Sequence, residues 1–590
     1  MGQHDEGHHA PVKGVAPGSV ADVPRADDLR LLHALAADFA DLGYTVDGVG
    51  ALLGAAAHEA LSRDQIVPAL VATERVIHTG AHGARGRYPG AHAFDGGAPD
   101  GGLPDGVAMP DGEQSDGVAM DDGGEAGSRA ALAIVVRFFL LGCAEDSSAL
   151  DGALPSVGAQ GLLSLGLAEP AGSGQLRAAA DLRPYAWEED GAEVRLWVAS
   201  DLAAHQRPGV LRKDHVLGIG HASATLVQST ARRPVETALD LGAGCGIQTF
   251  HLLRHARRVV ATDISARALA FTRFNLLLNA EALALDPAHL EDRVELRLGS
   301  LIEPVRGERF DLVVSNPPFV ITPRQSGETA ADQYTYRDGG LPGDQLVSGL
   351  VSSLGDVLAE GGTAQLLGNW EVHGDEPWHA RVRGWVPGDL DAWILQRELI
   401  GPEQYAETWL HDASENRDAA EYARRYGAYL DDFASRETSG IGFGLMWFRR
   451  PSGEQARLDR FEELTHPLEQ PIGPHWQGAV ERADWLAGLG DSGFAGAHLT
   501  VAEDVTEERH QRPGAEHPGV ILLRQGAGFR RTALLSTEQA GFVSACDGEL
   551  AAGQIAAALA ALLGRDEPEF KETLLREIRE LTADGFLVKA

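Results

Sequence analysis

A glycine-rich loop in the middle of the chain has the residue types of a binding site for a small cofactor. It reads Asp-Leu-Gly-Ala-Gly-Cys-Gly over residues 240–246, between a short apolar segment and a segment with helical spacing. Glycines at alternate positions allow backbone amides to approach a ligand closely where a strand turns into a helix. The predicted cofactor-binding residues of this loop are Asp240, Gly242, Ala243, Gly244 and Gly246.

An acidic residue follows at the end of the next apolar segment, where Asp263 comes directly after Val-Val-Ala-Thr. A carboxylate at that place can accept hydrogen bonds from both ribose hydroxyls of an adenosine. A dinucleotide is the rival ligand, but the glycine spacing differs from Gly-x-Gly-x-x-Gly. The remaining alternative is a tight turn that binds no ligand. We therefore predict Asp263 as a cofactor-binding residue.

The tetrapeptide Asn-Pro-Pro-Phe at 316–319 follows the apolar segment 310–315. Ligands bind beyond the carboxyl ends of strands in α/β sheets, so this tetrapeptide and the glycine-rich loop should border one crevice. The Asn316 side-chain oxygen and the Pro317 carbonyl can accept N–H groups of a planar nitrogen and aim its lone pair at a methyl donor. Phe319 can stack on the flat acceptor group.

The alternative for this tetrapeptide is an ordinary Pro-Pro turn that ends a strand, and its pairing with the glycine-rich loop favours the chemical interpretation. The predicted catalytic residues are Asn316, Pro317 and Phe319, and Asn316 is also predicted to contact the cofactor.

Together, the 240–246 loop, Asp263 and the 316–319 tetrapeptide resemble class I methyltransferases of the "methyltransferase small" superfamily. That superfamily includes ribosomal RNA guanine-N2 methyltransferases and release-factor glutamine methyltransferases. The resemblance implies S-adenosyl-L-methionine as the cofactor, with the glycines around its methionine part and Asp263 on its ribose. It also implies a cofactor contact for Ser300, near the place where the family often has an acidic residue. The order of modules resembles that of a group of actinobacterial methyltransferases.

The elements that must position these residues alternate between strand-like and helix-like segments from Val235 onward. Such βαβαβ order predicts a parallel sheet with right-handed crossovers. Further strand-like segments at 363–367, 392–399 and 441–449 bring the predicted total to seven strands. The predicted fold is an α/β, seven-stranded, doubly wound, Rossmann-like methyltransferase domain over residues 206–450.

The flanking regions have other compositions. Residues 1–26 are predicted to be a disordered leader, and 27–205 a winged-helix-like domain. The Gly- and Asp-rich stretch 79–128 is predicted to be a disordered insertion in that domain, because it has too few apolar residues to fold. Residues 451–590 are predicted to form a C-terminal domain that ends in a second winged-helix-like module.

The chain is acidic, with 50 Lys and Arg against 86 Asp and Glu and a net charge of −36 over 590 residues. That charge argues against non-specific binding to phosphate backbones, while RNA bound at a local basic patch stays open. The three cysteines have no paired spacing, which argues against disulfides and a zinc site. With no signal-peptide or membrane-spanning run, we predict a cytoplasmic protein that binds neither metal nor membrane.

These observations predict an S-adenosylmethionine-dependent N-methyltransferase that acts on a planar amino or amide nitrogen. Phe at position 319, where many N6-adenine and glutamine enzymes have Tyr, favours an exocyclic guanine amine in ribosomal or transfer RNA. One alternative is a protein glutamine methyltransferase whose flanking modules recognise a protein partner. Another is a binding or regulatory protein without catalytic activity, against which the intact tetrapeptide argues.

Overall fold

The computed structural model describes residues 20–63, 65–83, 122–189, 191–207, 211–324, 337–412, 418–453, 457–565 and 567–590. Contacts between Cα atoms divide the chain into two compact units, which are Pro24–Gly209 and Met1–Val23 with Val210–Ala590. Of the predicted leader, residues 1–19 lie outside the described residues, and 20–26 form neither helix nor strand. No helix in the described ranges is both long and apolar enough to cross a membrane.

The first unit combines seven described helices with two small sheets of strand order β1-β3-β2 and β4-β5. Its core contains Phe39, Phe138 and Phe139, and the hydroxyl of buried Tyr44 donates to the Leu182 carbonyl at 2.6 Å. The winged-helix assignment of this unit stays a prediction. The helices are α1 Leu29–Leu42, α2 Val46–Leu53, α3 Ala55–Leu61, α4 Val67–Gly83, α5 Asp122–Phe139, α6 Ser147–Ala153 and α7 Gly158–Ser164. The strands are β1 Glu145–Asp146, β2 Ala168–Gly172, β3 Gln175–Ala178, β4 Asp181–Glu189 and β5 Ala192–Ser200.

Two described helices extend into the stretch that was predicted to be a disordered insertion, 79–128. Helix α4 continues to Gly83, and helix α5 already begins at Asp122. The polar first turns of α5 give no apolar signal, but helix propagation adds one hydrogen bond for each residue, so the helix extends beyond its apolar part. Residues 84–121 of the predicted insertion lie outside the described residues.

The second unit contains the predicted catalytic region and the C-terminal residues. Its helices are α8 His221–Ser229, α9 Ile247–Leu252, α10 Ala266–Leu278, α11 Gln345–Val357, α12 Trp378–Arg383, α13 Pro402–Asp412, α14 Ala419–Ser435, α15 Gly473–Gly488, α16 Asp491–Ala495, α17 Thr537–Ser544, α18 Ala552–Leu563 and α19 Pro568–Asp584. Its strands are β6 Val235–Leu241, β7 Ala256–Asp263, β8 Val294–Leu298, β9 Phe310–Ser315, β10 Leu358–His373, β11 Asp391–Ile400, β12 Thr438–Arg449, β13 Asp459–Glu463, β14 His498–Val501, β15 Val505–His510, β16 Val520–Gln525, β17 Thr532–Leu535, β18 Asp547–Ala551 and β19 Leu587–Lys589.

The large sheet of this unit has the strand order β13-β11-β12-β10-β9-β6-β7-β8. Strand β12 is antiparallel to both of its neighbours, and the other neighbouring pairs are parallel. The prediction of seven strands is therefore one strand short for the described residues. The missed strand, β13, lies at the edge of the sheet and has Phe461 as its one apolar residue, so its polar sequence gives little strand signal.

Strands β6 and β9 lie in the middle of the sheet and are buried on both faces, which explains their nearly continuous apolar sequences. One core cluster joins Leu239, Val313 and Leu366 of the sheet to Val347 and Leu354 of α11. This packing holds the carboxyl ends of β6, β7 and β9 side by side. The loops that carry the predicted site all leave the sheet at that edge.

Beyond the large sheet, the C-terminal residues form two three-stranded sheets of order β18-β14-β19 and β15-β16-β17. Helices α17, α18 and α19 pack on a core that includes Phe542, Ile555, Leu574 and Ile578. The winged-helix assignment of this module stays a prediction.

Candidate functional site

The glycine-rich loop leaves β6 in a backbone conformation that L side chains rarely adopt. The φ angles of Gly242, Gly244 and Gly246 are +80°, +58° and +96°. A Cβ added to Gly244 would meet no atom within 4 Å, and one added to Gly242 would come no closer than 3.9 Å to the Asn316 carbonyl oxygen. The loop therefore forms an open cradle whose backbone a ligand can approach.

Residues of helix α10 and strand β7 hold this loop in place through hydrogen bonds. The hydroxyl of Thr272 donates to the Gly244 carbonyl at 2.9 Å, and Nδ2 of Asn275 donates to the Cys245 carbonyl at 2.9 Å. The backbone N–H groups of Gly242 and Ala243 both donate to the Thr262 carbonyl, at 2.9 and 3.0 Å. These bonds hold the shape of the loop.

Asp263 ends β7 and binds the loop directly. Its Oδ2 accepts a hydrogen bond from the Gly244 N–H at 3.0 Å, and its Oδ1 accepts one from the Ser265 N–H at 2.8 Å. Burial raises the pKa of Asp263, and the backbone N–H groups around it act in the opposite direction. Each carboxylate oxygen accepts more than one hydrogen bond, so capacity for ligand hydroxyls remains.

Asp240 lies beneath the loop and is fully buried. Its Oδ2 accepts a 2.6 Å hydrogen bond from the Thr249 hydroxyl, whereas its Oδ1 has no hydrogen-bond partner among the described residues. Burial raises the pKa of Asp240 to about 7. One oxygen of this predicted site residue is thus left without a partner.

The predicted contact Ser300 follows β8, and the neighbouring Gly299 N–H donates to the Asp263 carbonyl at 3.0 Å. Two apolar side chains beside this place were missed by the sequence analysis. Ile264, directly after Asp263, is 61% exposed, and Leu298, which pairs with Asp263 in the sheet register, is 39% exposed. Exposed apolar side chains at a strand edge can pack against the faces of a flat ring. The position of Ile264 directly after the predicted acidic residue is the sequence feature that could have identified it.

Asn316 begins the loop after β9, and its carbonyl oxygen lies next to the Gly242 cradle. The preceding Ser315 donates through Oγ to the Leu241 carbonyl at 2.8 Å, which ties the ends of β9 and β6 together. The Asn316 Oδ1 is shielded from solvent and has no hydrogen-bond partner among the described residues. Pro317 is buried. The structure therefore brings the predicted catalytic tetrapeptide and the glycine-rich loop to one place.

Phe319 is half-buried and packs against two core clusters, one around α11 and one around α13 and α14. The chain then continues through Ile321, whose N–H donates to the Tyr405 hydroxyl of α13 at 2.8 Å. Nδ2 of Asn369 on β10 donates to the same hydroxyl at 2.9 Å. Tyr405 and Asn369 lie far from the tetrapeptide in sequence, and neither residue was predicted to belong to the site.

Two ion pairs involve residues that follow the tetrapeptide in sequence. Arg324 donates to both carboxylate oxygens of Asp338, at 2.7 and 2.6 Å. Asp344, which is buried, accepts two hydrogen bonds from Arg381, at 2.8 and 2.6 Å. Residues 325–336 lie outside the described residues.

These residues fit a cofactor with an adenosine and an amino-acid part. The cradle at 242–246 has room for the approach of a ligand, Asp263 offers a carboxylate, and the unpartnered oxygens of Asp240 and Asn316 require hydrogen-bond donors. In the described part of the chain, no group of three or more His, Cys, Asp or Glu side chains is arranged to hold a metal ion.

Two family models match this chain. Residues 201–333 match the "Methyltransferase small domain", a segment that contains all the predicted site residues. Residues 41–85 and 118–179 match a "Domain of unknown function (DUF7059)", which lies within the first unit.

Curated relatives match the same region. The chain is 31% identical over 138 residues to a release factor glutamine methyltransferase of Aquifex aeolicus, with 22% of this chain and 42% of that protein covered. It is 30% identical over 159 residues to a ribosomal protein uL3 glutamine methyltransferase of Bradyrhizobium diazoefficiens, with 26% and 46% covered. The chain therefore spans less than half of the length of each of these relatives. Among solved structures, an rRNA methylase of Streptococcus thermophilus matches at 13% identity and a TM-score of 0.22, with 40% of this chain and 100% of that chain covered.

Proposed function

We propose that this chain methylates the side-chain amide nitrogen of a protein glutamine, with S-adenosyl-L-methionine as the methyl donor. Residues 201–333 match the "Methyltransferase small domain", which supports this proposal. One observation supports methylation of an amide or amine nitrogen, and the charges described below favour glutamine. The Asn316 Oδ1 is shielded and unpartnered among the described residues, beside a glycine cradle that suits the cofactor. An unpaired acceptor at that place requires an N–H group, which a carboxamide provides.

The cofactor would be held by residues from three loops. Gly242, Ala243, Gly244 and Gly246 would border its methionine part, and Asp263 would accept hydrogen bonds from its ribose. Ile264 and Leu298 would contact the adenine. The Ser300 hydroxyl, two residues after Leu298, would also contact the cofactor. When bound, S-adenosyl-L-methionine supplies a methyl group activated by its sulfonium.

The acceptor nitrogen needs orientation, because its lone pair is delocalised into the carbonyl and reacts poorly. Asn316 Oδ1 and the Pro317 carbonyl would each accept one N–H of the carboxamide. These two bonds would favour pyramidal geometry at the nitrogen and aim its lone pair out of the plane, towards the methyl group. Transfer would form the N–CH3 bond as the S–CH3 bond breaks, leave the donor as a neutral thioether, and release one of the two amide protons to solvent. Positioning and electrostatic stabilisation of this type lower a barrier by several kcal/mol, about 3 kcal/mol for a single well-placed group. Phe319 would lie against the flat amide.

The charges around the acceptor side favour a protein over RNA. Helix α13 contacts the chain directly after the tetrapeptide. Helices α13 and α14 expose Glu403, Glu407 and Asp431, and the exposed Asp418 caps the start of α14. The two arginines of α14, Arg424 and Arg425, both pair with Glu421. A surface of this sign repels phosphates, as does the net charge of −36. Both relatives named above are glutamine methyltransferases by name.

The second candidate acceptor is the exocyclic amine of a guanine in RNA, and the observation that favours it is Phe319 in place of Tyr. Both candidate acceptors would donate their N–H groups to the same two oxygens. An assay with each type of substrate is therefore needed to distinguish them. Purified protein would be incubated with radiolabelled S-adenosyl-L-methionine and, separately, with unmethylated bacterial release factor, ribosomal protein uL3 and ribosomal RNA. We expect label in protein, resistant to RNase and lost with protease, and mass spectrometry should place the methyl group on a glutamine. Label confined to RNA would reject the glutamine proposal.

A further inference from the structure

Asn369 lies on β10 just beyond the end of β9. In the parallel register Leu366 pairs with Ser315, the last residue of β9, so Asn369 is three residues farther along β10. On its other side β10 is still paired with β12, where Asn369 is opposite Phe443. Beyond Leu366, the edge of β10 that faced β9 is no longer paired with it. The chain that continues from Asn316 runs next to this edge.

Hydrogen bonds connect Asn369 to that continuing chain. Its Nδ2 donates to the Tyr405 hydroxyl at 2.9 Å, and the same hydroxyl accepts the N–H of Ile321 at 2.8 Å. Tyr405 is fully buried and stacks on Phe443, with ring centroids 5.8 Å apart. Asn369 therefore lies close to the chain segment 316–321, and the hydrogen bond to Tyr405 fixes the position of its side chain.

The other polar atom of the same side chain has no structural partner. Asn369 is 0% exposed, and its Oδ1 has no hydrogen-bond partner among the described residues. Nearly all buried side-chain oxygens in proteins are hydrogen-bonded, and the bond to Tyr405 uses only Nδ2. Asn316 has the same property at the end of the adjacent strand. Two neighbouring strands thus each carry an amide oxygen without a hydrogen-bond partner near their carboxyl ends.

We propose that Asn369 is a substrate-binding residue whose Oδ1 accepts a main-chain N–H of the acceptor peptide, next to the methylated glutamine. This inference rests on the proposed function. There, Asn316 Oδ1 and the Pro317 carbonyl already accept both N–H groups of the reacting amide, so a third acceptor needs a donor from another part of the substrate. In a peptide, the neighbouring main chain is where such donors occur regularly.

The experiment compares a synthetic peptide around the methylated glutamine of a release factor with depsipeptides of the same sequence. In each depsipeptide one main-chain N–H is replaced by an ester oxygen. For wild-type protein we expect one of these esters to lower kcat/KM about tenfold, as for the loss of one hydrogen bond. Asn369→Ala should show a similar loss with the all-amide peptide, mainly through KM, and no further loss with that ester.

Gln365→Leu is the matched control, because Gln365 is a buried amide on the same strand whose Oε1 already accepts the Ala231 N–H and whose Nε2 donates to the Ser229 carbonyl. It should remain sensitive to the ester. Asn369→Leu, of similar size, replaces the alanine variant if that variant does not fold, as judged by its Tm and its Kd for S-adenosyl-L-methionine.

Equal ester sensitivity in the wild type and in the Asn369 variants would overturn the inference and leave glutamine methylation intact. Methyl transfer to RNA, with none to protein, would instead reject the proposed substrate class and this inference together.

Discussion

The backbone N–H of Gly244 donates a 3.0 Å hydrogen bond to Oδ2 of Asp263, so the residue predicted to hold the ribose also anchors the glycine-rich loop. A single carboxylate thereby connects the two cofactor-binding elements at the ends of β6 and β7. Loss of the carboxylate should affect the cofactor twice, through the missing ribose contact and through the loosened loop.

Asp263→Ala should therefore raise the Kd for S-adenosyl-L-methionine at least about tenfold, since hydrogen bonds to a charged group contribute about 1.5–3 kcal/mol. Isothermal titration calorimetry measures this directly. Asp311→Ala is the matched control. Asp311 accepts hydrogen bonds from the Thr237 N–H and hydroxyl near the amino ends of β6 and β9, away from the site. That variant should keep the Kd within about twofold of wild type, and an equal change in both variants would contradict the role of Asp263.

Asn316→Ala removes the side-chain oxygen that is predicted to orient the acceptor nitrogen. We expect kcat to fall at least about 100-fold, the loss that follows removal of one preorganised stabilising group, with the Kd for the cofactor nearly unchanged. Single-turnover methyl transfer and cofactor titration separate the two quantities. Ser315→Ala, which removes the hydroxyl bound to the Leu241 carbonyl, is the control for a purely structural effect. Equal losses of kcat and cofactor affinity in Asn316→Ala would contradict the assigned role.

The buried carboxyl of Asp240 predicts a pH dependence of stability. Its pKa is raised to about 7 in the folded protein, mainly by burial, above an unfolded value of about 3.9. Because the folded state binds the extra proton, the stabilisation is fully present below about pH 4 and is lost as the pH rises through about 7. The total is up to about 4 kcal/mol, at about 1.4 kcal/mol for each pKa unit.

Asp240→Asn keeps an acceptor for Thr249 and cannot ionise. The free energy of unfolding in urea, measured without cofactor between about pH 5 and pH 8, should fall with pH more steeply for the wild type than for Asp240→Asn. Parallel curves for the two proteins would show that Asp240 does not titrate in this range.

Gly244→Ala tests the open cradle. The φ of +58° makes alanine cost about 1–2 kcal/mol of stability, but no atom lies within 4 Å of the new Cβ. Gly43 at the end of α1 has the same two properties, with a φ of +69°. Both variants should lose similar stability by thermal unfolding, whereas Gly244→Ala alone should weaken cofactor binding. A normal Kd in Gly244→Ala would show that the ligand does not approach this part of the loop.

The central strands and the loops at their carboxyl ends could be predicted from sequence because their signals are local. The 240–246 loop, Asp263 and the 316–319 tetrapeptide each follow a buried apolar strand, and the structure brings them to one edge of the sheet. Asn369 and Tyr405 could not be predicted, because their place beside the site depends on how far β10 extends past β9 and on where α13 packs. Neither property is encoded in a short motif.

The limits of helices and the edge of the sheet were harder to predict for a related reason. Helix α5 begins with polar turns, and β13 has one apolar residue, so composition alone does not reveal either. Strand β13 forms because it pairs with β11, and the first turns of α5 form because the helix extends from its apolar part. In the same way, the exposure of Ile264 depends on the folded strand edge, although its position after Asp263 is visible in the sequence.

Strand β13 has a practical consequence for the preparation of the catalytic region. It pairs in parallel with Ala392–Gln396 of β11, and the Leu464 N–H continues the pairing to the Gln396 carbonyl at 3.0 Å. A fragment that stops at Arg450 would keep β11 but lose its neighbouring strand β13. The unpaired backbone N–H and C=O groups of the apolar strand β11 could then pair with a second copy of the fragment. Such a fragment should aggregate, whereas one that continues to Ala590, and so keeps β13 and the Trp476 and Phe529 side chains that cover Trp393 of β11, should stay monodisperse.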